Sequence, residues 1–160
     1  MILNTYNKYI FKLFINKLFL VFLVFFSLVL VINILDEINF LQGKNEEFYL
    51  PILLTFLNSP SVVFEVFPFI FLIATQFFFI SLIEKNEIQI FKYSGIKNTK
   101  LLAIITISSF FIGILIITIF YELSSNLKNN YLKIKNSMME DKKFLAVVTN
   151  NGLWIKDEIG

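Results

Sequence analysis

The sequence predicts an all-α membrane protein of three transmembrane helices, followed by the first strands of a β-domain outside the membrane. Two observations carry that prediction. The composition is too apolar for a soluble domain: 57% of the 160 residues are hydrophobic and 21 are Phe, which leaves too few polar side chains to cover a surface. Three stretches also lack any charge, Leu18–Leu35, Val66–Ile83 and Leu101–Tyr121. They hold 18, 18 and 21 residues, close to the roughly 20 that a helix needs to cross a bilayer.

The first stretch is the most uniform, with 16 of 18 residues Leu, Ile, Val or Phe. At their usual transfer values this favours insertion by about 5–10 kcal/mol. It is too long for the apolar part of a signal peptide, and it runs into Asp36-Glu37 without a small-residue cleavage site. It reads as a retained anchor. Residues 1–17 precede it with Lys8, Lys12 and Lys17 and no acid. Lys8, Lys12 and Asn16 recur at helical spacing, so this segment reads either as an amphipathic entry helix on the inner surface, bending into the first span, or as a plain charged flank.

Lysine counting orients the chain. The 84–100 loop carries Lys85, Lys92, Lys97 and Lys100 against Glu84 and Glu87, whereas 36–50 carries four acids against Lys44. The positive-inside rule places residues 1–17 and 84–100 in the cytoplasm, and 36–65 and 122–160 outside. The second span is expected over 62–83, with Pro60 opening a new helix and Pro68 kinking it. Gln76, near mid-span, is expected to face protein. In the third span Ser108, Ser109 and Gly113 form a small-residue patch suited to close packing. Beyond Glu122 the chain turns polar and Lys-rich. Two β-prone runs, Phe144–Thr149 and Leu153–Lys156, flank Asn150-Asn151-Gly152, a hairpin signal. A lone hairpin is marginal in water, so an outside β-domain with further strands is expected, with the sequence stopping at Gly160 just past the hairpin.

The chemistry of enzymes is missing. There is no His and no Cys, which removes disulfides, thiol nucleophiles, histidine acid–base chemistry and Cys/His metal sites. The five glycines are too scattered for a nucleotide fingerprint. A non-catalytic membrane subunit without cofactor or metal is the reading. Its most suggestive polar element is the 84–100 loop. If Glu84–Ser94 is helical, then Glu84, Glu87, Ile88 and Phe91 share a face, and Gly95 stops the helix. Such a helix suits contact with a cytoplasmic motor, with Phe91 as apolar anchor and Glu87 as partner for a basic residue. Periodicity alone admits an ordinary interfacial turn equally well.

Several segments in order resemble one family, the lipopolysaccharide-export permeases (LptF/LptG). Lys8-Tyr9-Ile10 is similar to that family's basic–Tyr–Ile opening, and the first span ends in an acid, Asp36. Pro60 and Phe67-Pro68 resemble its second-span entry. Glu87, Lys92 and Gly95 match its loop motif, with Asn86 in place of the usual Ser. Gly152-Leu153-Trp154-Ile155-Lys156-Asp157 looks like the element that opens a periplasmic β-jellyroll, and it favours the G-type subunit. The match is to an N-terminal half, since members carry six spans.

The resemblance implies a permease subunit in the bacterial inner membrane. It would pair with a paralogous LptF-like permease on an LptB-like cytoplasmic ATPase dimer that binds the ATP. Lipopolysaccharide would enter between the spans and pass to LptC/LptA-like periplasmic bridge proteins; no nucleic acid is involved. The coupling set is Glu84, Glu87, Ile88, Phe91, Lys92 and Gly95. The lipid path is assigned to Asn33, where some members carry a basic residue, and Asp36. The competing readings are a permease or assembly subunit of another cell-envelope ABC system, and a non-transporting membrane anchor.

Overall fold

The computed structural model of the chain describes residues 2–42, 48–138, 146–149 and 152–155. Its helices are α1 (Ile2–Leu41), α2 (Leu50–Glu84), α3 (Glu87–Tyr93), α4 (Asn98–Leu115) and α5 (Tyr121–Ser137). One π-helical turn, Ile116–Phe120, joins α4 to α5. Two strands follow, β1 (Ala146–Thr149) and β2 (Gly152–Ile155). They pair antiparallel, Ala146 opposite Ile155 and Thr149 opposite Gly152. The Asn150-Asn151 turn, Phe144 and Lys156-Asp157 lie outside the described residues.

Three helical stretches are long and apolar enough to cross a membrane: Thr5–Leu41, Leu50–Glu84 and Asn98–Ser137. At 1.5 Å per residue they run about 50–60 Å, well beyond a hydrocarbon core of about 30 Å. The bundle therefore projects past the bilayer, and the Glu87 and Glu37 contacts lie outside the three charge-free stretches.

α1 is unbroken for 40 residues. No Pro or Gly interrupts it, so residues 2–17 and the first span form one continuous helix. Its buried positions are Tyr6, Ile10, Phe14, Leu18, Val21, Val29, Asn33, Glu37 and Leu41. Their three- and four-residue steps, with one gap, trace a single seam along the helix. Phe19, Leu23, Leu28, Val31 and Leu35 are exposed on the remaining faces, as suits contact with lipid.

α2 starts at Leu50, ten residues before Pro60, the expected helix opening. The proline of its first turn is Pro51, and Pro60 and Pro68 lie inside the helix. An interior proline gives up one backbone hydrogen bond at a cost of about 3 kcal/mol, and membrane helices tolerate this where neighbours pack around them. Here Leu54, Ser59, Pro60 and Val63 are buried, and that packing carries the helix through.

The core has three levels. At one end Tyr6, Ile10 and Phe14 of α1 meet Phe78 and Leu82 of α2 and Leu101 and Ile105 of α4. In the middle Leu18, Val21 and Val29 meet Val63, Ile70 and Ala74. At the other end Leu41, Leu50, Leu54 and Tyr131 close the bundle. Ser108 is buried and returns its hydroxyl to the Ile104 carbonyl at 2.7 Å. A Cβ added at Gly113 would meet nothing within 4 Å, so the expected close packing there is not made within this chain. Gln76, expected to face protein, is exposed on α2.

Candidate functional site

Two sites stand out, one at each end of the bundle. The first is α3 and its cradle. α2 ends at Glu84, and Asn86 adopts a left-handed conformation with φ 54°. Asn is among the few residues that take this conformation readily. The chain turns there, and α3 begins at Glu87. Glu84 therefore belongs to a different helix from Glu87, Ile88 and Phe91, and the continuous face expected over Glu84–Ser94 is split.

The far end of α3 is a Schellman closure. Gly95, with φ 77°, donates its N–H to the Lys92 carbonyl at 3.0 Å, and Ile96 donates to the Phe91 carbonyl at 2.9 Å. Phe91 and Ile96 both pack on the Tyr6 cluster, which supplies the apolar contact this motif usually includes. Gly95 thus stops the helix as its sequence position suggested.

α3 shows one face to the bundle and another to solvent. Glu87, Ile88 and Phe91 are half-buried, while Gln89, Ile90, Lys92 and Tyr93 are exposed. The Phe91 ring stands edge-on to Tyr6 with centroids 4.8 Å apart. Glu87 Oε1 accepts a hydrogen bond from the Tyr9 hydroxyl at 2.6 Å. The side chains expected to reach outward are thus held by α1. They cover the apolar end of the core, where Tyr6, Ile96 and Leu101 would otherwise face solvent. The outward surface is built from Ile90, Lys92 and Tyr93, and Tyr93 is 89% exposed.

The second site is a polar seam joining α1, α2 and α5. Glu37, only 1% exposed, accepts from Tyr131 Oη at 2.7 Å and from Lys135 Nζ at 2.9 and 3.0 Å. Lys135 also donates to Tyr131 Oη at 2.6 Å and lies 4.4 Å over the Phe40 ring. One helical turn below, Asn33 Nδ2 donates to Ser59 Oγ at 3.0 Å. Ser59 in turn donates to the Thr55 carbonyl, and Lys128 reaches Asn58. Asn33 is buried, whereas Asp36 is exposed. The two residues assigned to a lipid path therefore differ in exposure. Asn33 is a bundle contact, and Asp36 alone looks outward.

Sequence reading had no signal for Glu37, Tyr131 and Lys135 as partners, because they stand 94 and 98 positions apart. It also missed an apolar groove of about 310 Å³ between α1 and the π turn, lined among others by Phe19, Phe22, Phe67, Ile116 and Phe120. π turns widen a helix locally and are frequent at functional sites. Among the described residues no group of His, Cys, Asp and Glu is placed to hold a metal.

The fold and these sites define a polytopic membrane protein with a short connecting helix pinned between two spans. The family model described as lipopolysaccharide export system permease LptF/LptG matches residues 8–160. The chain belongs to that family, which is one of inner-membrane permease subunits of ABC-type transporters. No curated protein and no solved structure matches the chain.

Proposed function

We propose that the chain is the transmembrane subunit through which a cytoplasmic ATPase drives lipopolysaccharide out of the inner membrane. The observation that carries this reading is α3. It is a short helix between two spanning helices, closed at one end by Gly95 and held on its inner face by α1, with an exposed Ile90–Lys92–Tyr93 surface. A helix held at both ends transmits force that a loose loop would absorb.

In this reading residues 1–17 and 84–100 are cytoplasmic, and 122–160 are periplasmic, as the lysine distribution asks. Ile90, Lys92 and Tyr93 dock on the LptB-like ATPase, which binds the ATP. Glu87, Ile88, Phe91 and Gly95 set the angle of the docked helix, and Glu84 flanks it at the end of α2. β1 and β2 are the opening strands of a periplasmic β-jellyroll that hands lipid to LptC/LptA-like bridge proteins. The Gly152-Leu153-Trp154 element favours a G-type subunit paired with an LptF-like one. Acyl chains reach the exposed faces of α1, including the groove beside the π turn, and Asp36 lies at the headgroup level above them.

Purification of the full protein from membranes tests this. An ATPase and a second permease should co-purify, and the complex in proteoliposomes should release lipopolysaccharide on adding ATP. An ATPase partner with a different bound lipid would assign another cargo. Absence of any ATPase would make the protein an anchor.

A further inference from the structure

Three polar atoms at the α3 end of the bundle, Tyr6 Oη, Asn7 Oδ1 and Glu87 Oε2, are buried and meet no hydrogen-bond partner among the described residues. Beside them Tyr9 donates to Glu87 Oε1 at 2.6 Å, and Tyr6 packs on Phe91. α3 is joined through the backbone to α2 and α4. It reaches α1 through these side chains. We infer that Tyr9, acting through Glu87, is a positioning residue that passes displacement of α3 into α1, and that α1 carries it as a rod to the Glu37–Lys135 contact. The inference rests on the ATPase-driven reading above.

Stiffness selects this route. α2 contains Pro60 and Pro68 between α3 and the far end of the bundle, and each removes a backbone hydrogen bond. α4 passes into the π turn at Ile116–Phe120, where the helical ladder changes register. Both backbone routes out of α3 thus contain compliant points, and bends concentrate at such points. α1 has neither Pro nor Gly from Ile2 to Leu41. From Tyr9 to Glu37 is 28 residues, about 42 Å of uninterrupted helix.

The junction itself is suited to two arrangements. The Tyr9–Glu87 hydrogen bond is exposed, and the unpartnered polar atoms beside it are costly where they are buried. A displaced α3 that pairs Tyr6 Oη or Asn7 Oδ1 would compete with the arrangement seen here. Switching elements need such closely balanced alternatives.

The test uses the full permease–ATPase complex in proteoliposomes. Spin labels on Ile38→Cys and Leu132→Cys, exposed positions of α1 and α5, report the end of the bundle remote from α3. The sequence has no Cys of its own. Tyr9→Phe keeps the ring and removes the donor. ATPase retention and ATP hydrolysis should stay as in the parent complex. The ATP-driven change in label distance should be lost, and lipopolysaccharide released per ATP should fall about fivefold or more, the lower end of typical coupling between sites. Glu87→Ala removes the acceptor instead and should also abolish the distance change; it decides the matter if Tyr9→Phe fails to accumulate. An unchanged label response and unchanged release would overturn the inference. So would loss of assembly in Tyr9→Phe, which would make Tyr9 merely structural. A parent complex that retains no ATPase or releases no lipopolysaccharide would instead sink the proposed function.

Discussion

Lys135 closes on Glu37 at 2.9 Å across 98 positions of sequence, and the Tyr131 hydroxyl bonds to both. The carboxylate is almost fully enclosed, so its charge is tolerable only because a cation and a phenol answer it. The contact joins the end of α1 to α5, and therefore fixes how the first span stands against the extension of the third.

Removing one member of this group should cost more than removing both charges together. Lys135→Met leaves Glu37 buried without its cation, and should lower unfolding free energy by about 3 kcal/mol. Glu37→Leu combined with Lys135→Met should recover most of that loss. Thermal melting of the purified protein in one detergent checks the order of the three. Equal melting of Lys135→Met and the parent would show that the ion pair contributes nothing.

The two left-handed residues flanking α3 should respond in opposite ways to small changes. Gly95→Ala meets no neighbouring atom, so its cost is conformational, about 1 kcal/mol at φ 77°. Asn86→Gly should be tolerated, while Asn86→Val should be costly, because a β-branched residue resists φ 54°. Hydrogen exchange at the Ile96 amide, which bonds to Phe91, reads the Gly95 change directly. No acceleration in Gly95→Ala would mean that the closure does not hold the helix.

Topology is checked by thiol labelling. Cys at Asn98 and at Asn129, both exposed, should differ in intact cells: the first shielded from an impermeant reagent, the second reactive. The reverse pattern would invert the membrane orientation and remove α3 from the cytoplasm.

Lipid contact should follow the exposed side of α1. Photo-crosslinkers at Leu28, Val31, Ile32 and Leu35, all more than half exposed, should capture lipopolysaccharide during transport. At Val29 and Asn33, which are buried, they should capture α2 instead. Lipid adducts at Asn33 equal to those at Val31 would mean that the seam between α1 and α2 opens.

The features legible in the sequence were those set by summed, local quantities. Charge-free runs of sufficient length marked three spans, because transfer into a bilayer adds residue by residue. Gly95 marked the end of α3, because only glycine takes φ 77° without strain. The ordered motifs marked the family, and the family match over residues 8–160 agrees.

What the sequence left open depended on partners distant along the chain. Pro60 looked like a helix start, yet burial of Leu54, Ser59 and Val63 against neighbouring helices continues α2 through it. Glu87 and Phe91 looked outward by periodicity, which names the members of a face but not the side it meets. Tyr9 and Tyr6, 78 and 85 positions away, turned that face inward and left Ile90, Lys92 and Tyr93 to the outside. Asn33 and Asp36 looked like one polar pair, and at i, i+3 their directions differ by only about 60°, yet Ser59 claimed the first and left Asp36 exposed. Hydropathy decides that a helix enters the membrane. Which of its sides is covered depends on contacts that form only when several helices pack at once.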